Sequence, residues 1–279
     1  MRLARVTKDG KIGLAAKTGD KVTLAYGADI ADLDAHIAAG TLDTAGAKAA
    51  AGEAVDEAAL TFLPPLAKAG KVICLGLNYA DHAAEANLDV PDFPTIFARF
   101  SSNLIGHDAP ILKPKTSDQL DYEGEMVAVI GKRAKNVPAS EALSHVMGYS
   151  VFNDGSVRDY QLKTPQWTAG KNFDNTGSFG PWLVTADELP AGGEGLKIET
   201  RLNGNVMQSA STDQMIFNVE QTVTLLSSFL TLEPGDVLVM GTPSGIGLAR
   251  TPPVFMKDGD VIEVEIENIG LLRNPIAAE

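Results

Sequence analysis

From residue 71 onward the chain is a succession of short apolar strand patterns with little that is helical between them. Residues 72–75, 126–130, 148–153, 182–185, 196–202, 206–209, 237–240, 261–266 and 270–273 are rich in aliphatic, aromatic or β-branched side chains, with Gly, Pro, Asn and Asp punctuating the stretches between them. Such runs read as strands. Strands without regularly alternating helices argue against a doubly wound sheet and for a strand-rich α+β fold with few helices. Asn203-Gly204 makes a hairpin of two of them, because Asn-Gly supplies the left-handed conformations of a tight turn. One helix is well marked, with Asn218 as its N-cap and Val219, Val223, Leu226 and Leu230 as its apolar stripe, ending before Glu233-Pro234-Gly235-Asp236. The stretch 137–143 should open another, shorter helix.

The N-terminal part is patterned differently. Residues 3–6 and 12–16 flank the turn Lys8-Asp9-Gly10-Lys11, and 21–25 offer a third strand. Residues 30–39 are spaced as a helix that Gly40 ends, and the Ala-rich stretch 41–60 is either a second helix or a connection. Pro64-Pro65 and Gly70 follow as punctuation. The expected organisation is a small α+β module over residues 1–66 and a larger domain over residues 67–279.

With 44% hydrophobic and 21% charged residues in a length of 279, the chain has the make-up of an ordinary globular protein. Its net charge of −13, with no cluster of Lys and Arg, argues against nucleic acid as a partner. Cys74 is the only cysteine and lies in an apolar run, where it reads as a small buried hydrophobe; no disulfide can form within the chain. The first residues lack the apolar core of a secretory signal, and no apolar stretch approaches the ~20 residues that span a bilayer. The expectation is a cytoplasmic protein with no membrane partner.

Chemistry concentrates in a few places. In Asp121-Tyr122-Glu123-Gly124-Glu125, followed by the strand pattern 126–130, the two glutamates are two apart and so share a strand face. Like charges held side by side need a cation or a proton between them. Asp154, after a second strand pattern, adds a third oxygen donor with no His or Cys adjacent, a set that suits Mg²⁺ or Mn²⁺. Taken alone, Glu-x-Glu describes many solvated edge strands, and Asp154-Gly155 many turns. His82 and Glu85, three apart, become neighbours on a helix, where a carboxylate beside an imidazole makes a water-activating base. Lys171, among Trp167, Gly170 and Phe173, can stabilise a developing oxyanion. The loop Gly241-Thr242-Pro243-Ser244-Gly245-Ile246-Gly247 offers backbone N–H groups and the Thr242 hydroxyl to a carboxylate, and it lacks the Gly-Lys-Ser/Thr ending of a P-loop.

Together these pieces resemble the fumarylacetoacetate hydrolase family. Tyr122-Glu123-Gly124-Glu125, the stretch from Asn153-Asp154 through Arg158-Asp159 to Gln161, Trp167-Thr168 with Lys171, and Gly241-Thr242-Pro243 with Gly245 and Gly247 occur in the family's order, and Asn78-Tyr79 with His82 and Glu85 matches its lid dyad. The resemblance covers residues 71–273 and is closest to bacterial diketo-deoxy-sugar-acid hydrolases and acylpyruvate hydrolases. It implies a mixed β-sandwich or β-roll catalytic domain, usually dimeric. It implies that Glu123, Glu125 and Asp154 hold Mg²⁺ or Mn²⁺, one ion per chain, that Arg158, Gln161, Lys171 and Thr242 contact substrate, and that His82 with Glu85 acts on water. Arg99 stands where the family commonly has lysine, and as a substrate contact it would change how the distal end is held; Gly155 and Val157 replace the usual Val and Ala. The expected reaction is metal-dependent hydrolysis of a C–C bond in a 2,4-dioxo acid, giving pyruvate and a second acid. The alternatives are an isomerase or decarboxylase of a hydroxymuconate-type 2-oxo acid, and a metal-binding protein without turnover.

Overall fold

The computed structural model describes residues 1–81 and 92–279, so the expected His82–Glu85 dyad lies outside the described residues. Alternation along Gly124–Ile130 explains the layering. Met126, Ala128 and Ile130 enter one apolar cluster with Ile198, Val264 and Ile266 of a second sheet and with Val223 and Leu226 of a helix. Val127 and Val129 enter another, with Cys74, Phe152, Leu183 and Val239. Both faces of the strand are therefore covered, which is why its sequence is continuously apolar. Cys74 is buried within this second cluster, as its apolar run implied, and burial pushes its thiol up.

Among the described residues the large sheet runs, in spatial order, through Glu53–Val55, Lys21–Tyr26, Lys11–Thr18, Arg2–Lys8, Gly177–Thr185, Val146–Asp154, Gly124–Ile130, Val237–Val239, Val72–Gly76 and Thr95–Arg99. The second sheet has the order Asn205–Ser211, Lys197–Leu202, Val261–Ile266, Gly270–Ala278 and Ile111–Lys113. Lys197–Leu202 and Asn205–Ser211 turn at Asn203 (φ 52°) and Gly204 (φ 76°), the two left-handed positions that Asn-Gly predicts. The N-terminal hairpin strands form as expected, but Arg2–Lys8 also pairs antiparallel with Gly177–Thr185, with Leu3 opposite Leu183. Residues on both sides of the expected boundary near 66 thus share one sheet.

Helices are few and short: the strand-rich α+β architecture is the one the sequence implied. Leu33–Ala39 ends at Gly40 in the left-handed conformation, Leu42–Ala50 follows, and the expected helix at 137–143 is reduced to Ala139–Ala142 plus a 3₁₀ turn. Val219–Phe229 is capped by Asn218, whose side chain accepts from the Gln221 N–H at 3.0 Å while the Gln221 side chain accepts from the Asn218 N–H. Asn218→Ala removes the acceptor for an otherwise orphaned donor and should cost about 1 kcal/mol, read as a lower urea midpoint at unchanged slope. Among the described residues no helix is long and apolar enough to cross a membrane.

Candidate metal and substrate site

Antiparallel register assembles the acidic centre. Gly124 lies opposite Asn153, and one step further the Asp154 N–H donates to the Glu123 carbonyl at 2.8 Å, so Glu123 and Asp154 face each other across adjacent strands. The period of two brings Glu125 to the same face. Carboxylate oxygens of Glu123, Glu125 and Asp154 lie within 4.8 Å of one another, and all three residues are buried. Asn153 fixes the strand start by accepting from the Glu123 N–H at 3.0 Å.

Cations answer these charges. Lys171, at the end of the short helix Thr168–Lys171, donates to Glu123 Oε2 and Asp154 Oδ2, both at 2.6 Å. Burial opposes its charge, but Asp154 and Glu123 outweigh it and hold its pKa above the usual lysine value. Arg158 donates through Nε to Asp121 Oδ2 at 2.8 Å and through Nη1 to Gln161 Oε1 at 2.9 Å, and pairs with Glu123 Oε1 at 2.7 Å. Its Nη2 is buried and has no hydrogen-bond partner among the described residues. Glu125 accepts from the Gly241 N–H at 2.6 Å; burial first, then the charges of Asp154 and Glu123, push its carboxyl well above the ordinary range.

The donor set fits a hard dication: three carboxylates close enough to share one ion, with Glu125 and Asp154 on strands and Glu123 directly before one. A raised carboxyl must give up any proton it holds before it acts as a ligand. Metal binding should therefore release protons, and apparent affinity should rise with pH until Glu125 is ionised in the metal-free protein. Calorimetric titration with Mn²⁺ in two buffers of different ionisation enthalpy measures this; equal heats in both would contradict it.

Beside the carboxylates opens a cavity of about 330 Å³ whose polar lining is Glu123, Glu125, Arg158, Gln161, Lys171 and Thr242. Six of the expected site residues thus meet at one cavity; Asp154 sits fully buried behind Lys171. Arg99 is placed elsewhere than expected. It does not line the cavity: its guanidinium is fully buried, bonds the Asp154 carboxylate, and donates to the Gly155 carbonyl at 2.9 Å and Thr176 Oγ1 at 3.0 Å. It braces Asp154 rather than reaching for substrate. The Gly241–Gly247 loop also differs from expectation, since two of its N–H groups serve the protein's own carboxylates: Gly241 bonds Glu125, and Gly247 bonds Asp121 at 2.8 Å. Thr242 lines the cavity while its hydroxyl donates to the Gly124 carbonyl at 3.0 Å.

Two site residues escaped sequence reasoning. Asp121, fully buried, accepts from Arg158 and from the N–H groups of Tyr122, Gly247 and Leu248 at 2.8–2.9 Å, tying the guanidinium to the glycine loop. Its place two residues before Glu123 was the available signal. Gln208, from the second sheet, accepts from the Gly124 N–H and donates to Thr242 Oγ1 and the Pro243 carbonyl; nothing in its local sequence marks it. Leu77 lines the cavity at φ 58°, a conformation unfavourable for a branched side chain and held by the neighbouring Asn78, which bonds Phe217 and Met240.

Fold and site define a strand-rich chain with an oxygen-donor centre set for a hard dication. Residues 71–277 match the fumarylacetoacetate (FAA) hydrolase C-terminal family, and the chain belongs to that family. It is 45% identical over 218 residues to the mitochondrial oxaloacetate tautomerase Fahd2a of Rattus norvegicus, covering 78% of this chain and 69% of the relative. The fumarylacetoacetate hydrolase of Exiguobacterium antarcticum superposes with a TM-score of 0.87 at 33% identity, with 100% of both chains covered. The fumarylpyruvate hydrolase of Pseudomonas aeruginosa, solved in complex with Mn²⁺ and pyruvate, superposes with a TM-score of 0.70 at 30% identity over 78% of this chain and 92% of that one.

Proposed function

We propose that this chain is a divalent-metal-dependent enzyme that takes a short 2-oxo acid to its enolate, and that the reaction it completes is keto–enol tautomerisation. The observation that carries this is the convergence of Glu123, Glu125 and Asp154 beside a cavity that also presents Arg158, Gln161 and Lys171. A bound Mg²⁺ or Mn²⁺ supplies Lewis acidity that favours the enolate over the keto form. Side chains do the rest. Arg158 offers its unpartnered Nη2 to a substrate carboxylate oxygen, with Asp121 and Gln161 fixing its plane. Lys171, kept charged by Asp154 and Glu123, has one N–H beyond its two carboxylate bonds to meet oxyanion charge. Leu75, Leu77, Phe97 and Ile246 make the rest of the described wall apolar.

The proton must travel through another group. The resemblance to the family assigns that role to His82 with Glu85, which lie outside the described residues. The 45% identity to an oxaloacetate tautomerase supports tautomerisation as the outcome. Hydrolysis of a 2,4-dioxo acid is the second reading; the His82–Glu85 spacing favours it, as does the likeness to a hydrolase solved with Mn²⁺ and pyruvate.

One experiment separates them: decay of enol-oxaloacetate absorbance, and pyruvate release from acetylpyruvate, each with and without chelator. The expected result is chelator-sensitive enol decay with little pyruvate. Chelator-sensitive pyruvate release without accelerated enol decay assigns the hydrolase instead, and neither activity responding to chelator overturns both readings. His82→Ala should retain Mn²⁺ binding and lose turnover in either case.

A further inference from the structure

The cavity continues past the polar head into a wall of different character. The Lys171 ammonium lies 4.9 Å from the centroid of the Phe97 ring, and Trp167 stands edge-on to Phe97 at 5.4 Å. Gly76 admits the indole, since a Cβ there would fall 2.3 Å from Trp167 Cζ3. Leu75, Leu162, Ile246 and Leu248 extend the apolar lining.

Charge is as informative as shape. Among the described residues the cations lining the cavity are Arg158 and Lys171, and both are committed to the head of the site. Lys163 lies 3.4 Å from the Tyr160 ring centroid and Arg250 donates to the Met207 carbonyl at 2.7 Å; neither lines the cavity. A carboxylate carried several carbons beyond the keto group would lose its water against leucine and indole, with no further cation among the described lining residues to replace it. An aryl or alkyl group in the same place gains by burial, and an aromatic ring can add edge contacts to Phe97 and Trp167.

We infer that the tail of the substrate is uncharged and apolar, aromatic by preference, and seated against Phe97 and Trp167; the inference rests on the 2-oxo acid reading of the head. A long 2-oxo dicarboxylate is disfavoured on the same ground.

The test is calorimetric binding of phenylpyruvate and 2-oxoadipate, which share a head and differ in the tail, to the full chain supplemented with Mn²⁺. Phenylpyruvate should bind tighter by roughly tenfold or more, on the scale by which apolar pockets discriminate. Trp167→Ala should shrink that ratio. Leu162→Arg, at a rim position that is 64% exposed and so tolerant of charge, should raise 2-oxoadipate affinity. Equal or tighter binding of 2-oxoadipate to the unmodified protein overturns the tail assignment alone. Binding of Mn²⁺ but of neither acid overturns the 2-oxo acid reading and the tail with it.

Discussion

Glu125→Gln should lower metal-dependent turnover on the order of a thousandfold while leaving the fold intact, because a neutral amide is a poor ligand for a hard dication and the rate depends on the charge that ion supplies. The amide oxygen can still accept the Gly241 N–H that Glu125 accepts at 2.6 Å, so the loop keeps its anchor. In the absence of metal the substitution also removes an ionisable group that burial and two like charges already disfavour. Thermal unfolding in chelator should therefore show a melting temperature equal to or above that of the unmodified protein. Turnover within tenfold of the unmodified enzyme would place the dication elsewhere.

Asp121→Ala should have the opposite profile, a large loss of stability that brings activity down with it. The substitution leaves Arg158 buried with its Nε unpaired and strips the acceptor from the N–H groups of Gly247 and Leu248. Removing one member of a buried pair typically costs 3–5 kcal/mol; a cost of about that size should appear as a lower urea midpoint. Asp121→Asn, which keeps an acceptor without the charge, should fall between. If Asp121→Ala unfolds at the same urea concentration as the unmodified protein, Arg158 is not held as described.

How much of this the sequence disclosed follows from how local each feature is. Asn203-Gly204 and the Asn218 cap act within four residues, so their chemistry alone predicts their structure. The shared face of Glu123 and Glu125 needs only the period of a strand. That Asp154 stands opposite Glu123 needs a register between strands some thirty residues apart, which the ordered motifs supplied and periodicity did not. Arg99 illustrates what stays hidden. Its place where the family commonly has lysine suggested a substrate contact, but Thr95–Arg99 lies at the end of the large sheet, and the fold turns the guanidinium back onto Asp154 and Thr176. Gln208 is unreadable for a related reason: it reaches Gly124 and Thr242 from another sheet. The pairing of Arg2–Lys8 with Gly177–Thr185 joins segments far apart in the chain, and no local pattern announces it.

The most direct test of the metal centre is a Mn²⁺ titration followed by electron paramagnetic resonance, run on the unmodified protein and on a Glu123→Gln, Glu125→Gln, Asp154→Asn triple variant. One ion bound per chain in the former and none in the latter, with the variant still folded, is the predicted result. Undiminished Mn²⁺ binding by the folded triple variant would contradict it.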